Sequence, residues 1–516
     1  MDTDKVVSAM ARWWQTVSQE DNDPSARNPM LYDPLQEGQT RTSKTMQYVA
    51  AIVVCLGAVS AGTALAWTSP VLPQLTIDLS AINETIETPE AIEKYKELTN
   101  STGLYLDGNE RSWVSSLLAI GAFCGAVPSG FVADLIGRKY TALVMDIPFI
   151  VAWISIIFAS GPGALYFGRF LIGLATGSYC VIAPMYISEI AETSIRGSLG
   201  TFFQLFLTIG ILLVYLFGSF VTWKTLSTLC LFIPLALFVS MFFLPETPTY
   251  LLKKGRRGDA ALSLKWLWGH YCDSRSAIQA IQSDLDSSAG EASLTDLFTN
   301  IASRKALIIG FALMFFQQFS GINAVIFYTV PIFKSAGSTL DADVCSIIVG
   351  IVQVLMTFVS SLLIERAGRK MLLLFSSTIM CICLAILGAY FQMKDNGKDV
   401  SSIGWLPLLC VVMFIVTFSI GYGPIPWLMM GELFLPSAKG TASSLIVMFN
   451  WTSVFIVTKC FDKMISSFGS DFTFWTFGAM MALGTVFVSI VVFETKGRSS
   501  AQIQMQLSGE KPGEIF

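Results

Sequence analysis

The feature that most constrains this chain is a series of twelve apolar stretches, each about 20 residues long, the length an α-helix needs to cross the hydrocarbon core of a bilayer. They fall into two groups of six. The first covers Gln47 to Pro70, Trp113 to Ala133, Thr141 to Ser160, Ala164 to Ser188, Leu199 to Phe220 and Leu226 to Leu244. The second covers Ala306 to Phe333, Val344 to Ile364, Met371 to Phe391, Trp405 to Met430, Thr441 to Cys460 and Phe472 to Phe493. An all-α membrane protein is therefore expected, with twelve transmembrane helices in two six-helix bundles. Composition agrees, since 516 residues that are 53% hydrophobic and 14% charged, at a mean hydropathy of +0.61, are too apolar for a water-soluble globule.

The pattern divides the chain into an N-terminal tail (1–46), a first bundle (47–244), a polar linker (245–304), a second bundle (305–493) and a C-terminal tail (494–516). The linker carries Lys253, Lys254, Arg256, Arg257, Lys265 and Arg275 among scattered apolar residues, which predicts short surface helices. With both termini cytoplasmic, about 23 of the 33 lysines and arginines fall on cytoplasmic segments, as the positive-inside rule requires. That topology puts the glycosylation acceptors Asn83 and Asn100 together in the one long outer loop. The polar tail before the first span argues against a cleaved signal peptide. Net charge is −4 and there is no basic tract or zinc-ligand spacing, so neither nucleic acid nor a metal is an expected partner, and no cofactor motif is present. The ten cysteines sit mostly singly in apolar runs, as Cys55, Cys124, Cys230 and Cys410 do, and read as small core residues.

Internal repetition turns the list of helices into two related halves. Asp134 followed by Gly137-Arg138-Lys139 joins spans two and three, and Glu365 followed by Gly368-Arg369-Lys370 joins spans eight and nine. Glu189 precedes Arg196-Gly197 by seven residues after span four, and Glu432 precedes Lys439-Gly440 by the same interval after span ten. Pro245-Glu246-Thr247 and Phe493-Glu494-Thr495 echo each other after spans six and twelve. Asp134, Arg138, Glu189, Arg196, Glu365, Arg369, Glu432 and Lys439 can pair across neighbouring helix ends. The duplicated constellation is read as a charged latch between the bundles that separates when the inner gate opens, against the plainer role of capping helices and orienting the chain.

A solute site can be argued from side chains. An uncharged polyhydroxyl solute would need amides, which donate and accept, beside an aromatic face. Span seven places Gln317, Gln318, Ser320, Asn323 and Tyr328 within hydrocarbon, where unpaired polar groups are costly. Gln204 in span five and Asn450 in span eleven add amides from other helices. The alternative is that these amides hold helices together. Span ten contains Gly421, Gly423, Pro424 and Pro426, which predicts a kink that either bends during transport or is static.

Several stretches resemble the sugar porters of the major facilitator superfamily. They are Gly130 to Lys139, Gly168 to Phe170, Pro184 to Glu189, Pro245 to Pro248, Gln317 to Asn323, Gly423 to Trp427 and Glu494 to Gly497, spread over residues from about 47 to 500. The chain is similar in particular to the facilitative glucose and trehalose carriers. The resemblance implies the major facilitator fold, two pseudo-symmetric bundles with short cytoplasmic helices between them, and a sugar held by the amides above together with Trp427 and Trp451. Phe493 and Thr249 depart from the family, which usually has Pro and Arg there.

Proton-driven relatives resemble one another in carrying an Asp in the first span, whereas Gln47 to Ile77 has neither Asp nor Glu, so facilitated diffusion is expected. Asp146 in span three is the complication, because an acid inside a membrane is a functional candidate unless it reaches the interface or an Arg. Two readings stand beside a uniporter: a proton-coupled symporter and a sugar sensor built on a carrier. An enzyme is not expected, since the one histidine, His270, lies in the linker with no nucleophile or metal cluster near it. The plasma membrane is the expected location. Which sugar is carried and the oligomeric state are not legible in the sequence.

Overall fold

The computed structural model describes residues 42–508 except 77–103, 193, 270–271, 288–293, 338–339, 435 and 499, so the acceptors Asn83 and Asn100 and the histidine His270 lie outside the described residues. Among the described residues the chain is all helix. Eleven helices are long and apolar enough to cross a membrane. In the first half these are Thr45–Leu75, Gly108–Ile136, Arg138–Ile157, Pro162–Ile190 and Trp223–Met241. The second half contributes Ile301–Phe327, Ala342–Ile364, Arg369–Asp395, Ser401–Glu432, Thr441–Phe468 and Ser470–Ile490. Phe202–Gly218, a shorter apolar helix of 17 residues, completes the twelve as span five.

Each half is held by close helix contacts that small residues permit. A Cβ on Gly173 or Gly177 of span four would collide with the carbonyl of Leu118 or Ala122 in span two, and one on Gly62 of span one with the carbonyl of Leu207 in span five. Backbone approach this tight is how helices associate in lipid, where no hydrophobic force separates a helix face from the acyl chains. Outward-facing positions such as Phe232, Val239, Leu355 and Phe358 are exposed apolar residues, as expected of a lipid-facing surface.

The linker forms four short helices, Pro248–Lys253, Arg257–Trp268, Ser274–Ser287 and Leu294–Thr299. Tyr250, Leu251, Leu252 and Ala260 bury a small core of their own with Ile278, Ile281 and Leu285. Trp268 ties this layer to the first half, donating its indole N–H to Ile190 O at 3.0 Å and accepting Ser43 N at 2.7 Å. The end of the bundle that carries these helices is called the linker face below, and the other end the opposite face.

Across the seam between the halves, span two packs on span eleven, span five on span eight, and span one on span seven. The hydrogen bonds described across the seam gather toward the opposite face. They link Thr68 and Ser69 to span seven, Tyr215 to Ile326 and Thr329, and Ser112 and Asn109 to Lys459.

Candidate functional site

Span seven is not the continuous helix that Ala306 to Phe333 suggests. It breaks at Gly321, whose φ of +83° is open to glycine at little cost, and again at Tyr328, giving helical pieces Ile301–Phe319, Ile322–Phe327 and Thr329–Ala336. At the first break Ser320 Oγ donates to Gln317 O at 2.6 Å and accepts Ile322 N at 3.3 Å. At the second, Pro331 has no N–H to offer the carbonyl of Phe327, and Thr68 Oγ1 of the other half donates to it instead, at 3.1 Å. Tyr215 Oη likewise donates to Ile326 O at 2.9 Å, and Val330 N donates to Ser69 Oγ at 3.0 Å. Irregular backbone survives in a membrane only where protein or a watered cavity satisfies it.

Span ten is broken as well, into Leu406–Ile420 and Ile425–Glu432, and Pro426 leaves the carbonyl of Tyr422 without a helical donor. Gln317 fills that gap. Its Nε2 donates to Tyr422 O at 2.6 Å and to Gly423 O at 2.9 Å, so both amide hydrogens bridge spans seven and ten. Gly421 sits against span nine, where a Cβ would strike Ser376 and lie 2.6 Å from Leu372 O. At Gly423 the nearest atom to a Cβ is Phe418 O, at 3.0 Å.

The remaining amides form a chain. Asn323 Nδ2 donates to Gln318 Oε1, and Gln318 Nε2 donates to Asn450 Oδ1 at 2.6 Å. No partner is described for Asn323 Oδ1 or for Asn450 Nδ2, so the chain ends in one acceptor and one donor, the pair a sugar hydroxyl can use. Linked amides also polarise one another, which strengthens the terminal groups. Trp451 is buried and its indole N–H lacks a partner among the described residues, whereas Trp427 is half-buried. Gln204 is half-buried with no described hydrogen bond. Tyr328 differs, because its hydroxyl is committed to Asp462 Oδ2 at 2.8 Å and its ring packs on Phe461 at 4.9 Å.

One further amide escaped the reading of the sequence. Gln353 lies in Ala342–Ile364, is 2% exposed, and its Oε1 has no partner among the described residues. The signal was present, since an amide within the most hydrophobic span has the same claim to notice as those of span seven.

The charged repeats form two matching clusters. In the first half Arg138 donates through Nε to Glu189 Oε1 at 3.0 Å and pairs through its terminal nitrogens with Glu189 at 2.8 Å and Asp134 at 2.9 Å. Thr247 Oγ1 donates to the other Glu189 oxygen at 2.5 Å. In the second half Arg369 donates to Glu432 Oε1 at 2.9 Å, and Thr495 Oγ1 donates to Glu432 Oε2 at 2.6 Å. Glu246 accepts the backbone N–H groups of Arg138 and Lys139 at the start of span three, and Glu494 accepts those of Arg369 and Lys370 at the start of span nine. A carboxylate from the segment after span six or span twelve thus caps each helix N-terminus, where it also meets the positive end of the dipole. Burial raises the Glu246 carboxyl above its usual range against these donors; burial also pushes Glu494 up, but there the backbone donors outweigh it and the group ends below that range.

Among the described residues each cluster pairs within its own half and the segment that follows it, and none of these pairs spans the two halves. Spacing identifies helix ends on one face but not which half they meet. Asp134 also accepts Lys253 at 3.3 Å, while Arg196 is exposed and donates to Ala191 O at 3.3 Å rather than to an acid. The side chains of Glu365 and Lys439 lie outside the described residues. Asp146 is fully buried in span three, and among the described residues neither carboxylate oxygen has a partner, an Arg included.

Two related six-helix bundles whose described seam bonds gather at one face, with the amides of broken span seven set against broken span ten and Asn450 of span eleven, have the major facilitator fold. The profile described as "Sugar (and other) transporter" matches residues 74–507, and the chain belongs to that family. It is 39% identical over 466 residues to the facilitated trehalose transporter Tret1 of Drosophila virilis, covering 90% of this chain and 49% of that protein. It is 40% identical over 468 residues to the facilitated trehalose transporter Tret1 of Culex quinquefasciatus, covering 90% and 86%. The chain therefore spans about half the length of the Drosophila relative and most of the Culex one. Among solved structures, the partially occluded inward-open xylose transporter XylE of E. coli superposes with a TM-score of 0.72 at 22% identity, covering 88% of this chain and 100% of that one. The proton:xylose symporter XylE bound to 6-bromo-6-deoxy-D-glucose gives 0.70 at 22% identity, covering 90% and 99%. At that identity the likeness concerns the fold.

Proposed function

We propose that this protein is a facilitative sugar carrier working by alternating access, with trehalose or a hexose such as glucose as substrate. The observation that carries the reading is the open-ended chain Asn323–Gln318–Asn450, an amide wire from spans seven and eleven that leaves one donor and one acceptor unused inside the bilayer. Gln204, Gln353, Trp427 and Trp451 supply the other polar and aromatic groups. The similarity to facilitated trehalose transporters supports the choice of substrate class. The carrier acts by binding and reorientation, with no covalent chemistry.

The seam bonds at the opposite face support a state open toward the linker face, and the basic linker helices support a cytosolic assignment for that face. On this reading the opposite face is extracellular, the loop with Asn83 and Asn100 lies outside, and the plasma membrane is the site of action. Uptake of labelled sugar into proteoliposomes, with glucose, fructose and trehalose as competitors, tests the reading. Binding without net flux would favour a sensor.

Asp146 favours a second reading, proton-coupled symport, because a buried acid with no partner among the described residues can carry a proton. The two readings part on one observation: accumulation of sugar against its gradient that an uncoupler abolishes belongs to the symporter alone.

A further inference from the structure

We infer that Lys459, at the far end of span eleven, is the pin that holds the two halves together at the opposite face, and that removing its ammonium shifts the carrier toward the state open there. Its Nζ stands 3.9 Å from the centre of the Trp113 ring and 3.3 Å from Asn109 Oδ1, both in span two. The carbonyl of the same residue accepts Ser112 Oγ at 2.9 Å. Asn109, Ser112 and Trp113 are spaced three and four residues apart, so one face of span two forms a socket for a single residue of span eleven. Trp113 also meets Phe455, one turn earlier in span eleven, at 6.3 Å between ring centres.

A lysine near the end of a membrane helix ordinarily stretches its ammonium into water. Lys459 is half-buried and turned across the seam onto an indole face. An indole attracts a cation more strongly as water is withdrawn, and this contact exists only while the halves meet. Only an interaction made in one state and lost in the other can bias the equilibrium. Thr68, Ser69 and Tyr215 join the halves through span seven, whereas the lysine pin acts through spans two and eleven, and its cation can be deleted without altering a backbone group.

The inference rests on the alternating-access reading, so its test reads exposure of the seam rather than sugar flux. Ser115 is fully buried in span two beside Tyr328 of the other half. In the full chain, with exposed Cys460 replaced by serine, Ser115→Cys reports opening through its rate of labelling by a membrane-impermeant maleimide added at the opposite face. Lys459→Met should speed labelling about five-fold, Trp113→Leu should do the same, and Lys459→Arg should label at nearly the parent rate because a guanidinium also stacks on indole. The double variant Lys459→Met/Trp113→Leu should label no faster than either single one, as two members of one contact must. Equal labelling rates in Lys459→Met and its parent would overturn the pin, and so would multiplicative effects of the two substitutions. If Lys459→Met does not fold, Lys459→Gln takes its place with the same expectations. Faster labelling in a chain that moves no sugar would leave the pin standing and remove the carrier reading instead.

Discussion

The hydroxyl of Ser69 accepts the backbone N–H of Val330 at 3.0 Å, so a side chain of the first half caps the last helical piece of the second. Val330 N is the donor that Ile326 O would receive in an unbroken helix, and Ile326 O is occupied by Tyr215 Oη at 2.9 Å. When the halves part at this face both groups are released together, and they can then bond to each other. The break at Tyr328 and the closure of the seam are therefore coupled. Ser69→Ala should weaken the closed state by about 1 kcal/mol, a shift of roughly five-fold, with little effect on thermal stability. It would be measured as a rise in apparent affinity for sugar presented at the opposite face; an unchanged affinity ratio between the two faces would refute the coupling.

The charged clusters lead to a different expectation from that of an inter-bundle latch. Arg138 is 2% and Glu189 13% exposed, and their partners Asp134 and Thr247 lie in the same half and at the start of the linker that follows it. Removing one member of a largely buried pair strands the other, which costs up to about 3 kcal/mol when some water remains. Arg138→Ala and Arg369→Ala should each lower the unfolding temperature in detergent, more than they alter the accessibility of either face. A large accessibility change at unaltered thermal stability would favour the latch.

Gly421 and Gly423 were alike in the sequence, both lying beside Pro424 and Pro426, and the kink they announce is present. They are not equivalent in packing, because a Cβ on Gly421 meets the Leu372 carbonyl at 2.6 Å while one on Gly423 lies 3.0 Å from Phe418 O. Gly421→Ala should impair folding. Gly423→Ala should fold and slow exchange by a few-fold if this segment bends during transport. A Gly423→Ala carrier with parental exchange rates would make the kink static.

Much of the fold was legible because a bilayer imposes one rule on every span, and a 20-residue apolar run leaves few alternatives. The first break in span seven was not legible, since a lone Gly321 in an apolar helix is also compatible with close packing. Nor could the sequence separate Gln317 from Gln318. Adjacent residues on a helix point about 100° apart, and only the positions of Tyr422 O and Asn450 decide which amide meets backbone and which meets another amide.

That separation gives the last prediction. Both hydrogens of the Gln317 amide are spent on the carbonyls of Tyr422 and Gly423, so its removal leaves the Tyr422 carbonyl buried without a helical donor. Such a loss costs about 1 to 3 kcal/mol and falls on the folded state whether sugar is present or not. Gln317→Ala should therefore express poorly and melt early. Asn450 and Asn323 hold the open ends of the amide chain, and truncating either removes a donor or acceptor from the sugar while the helices keep their other contacts. Asn450→Ala and Asn323→Ala should raise the apparent KM by about three- to ten-fold, the equivalent of one neutral hydrogen bond, and should reduce the stabilisation that sugar confers. Gln318→Ala interrupts the chain in its middle and should share their phenotype. Measuring KM and the sugar-induced shift in melting temperature on the same purified variants tests the division. A parental KM for Asn450→Ala, with a normal sugar-induced shift, would assign the whole chain to helix packing and leave the binding site elsewhere.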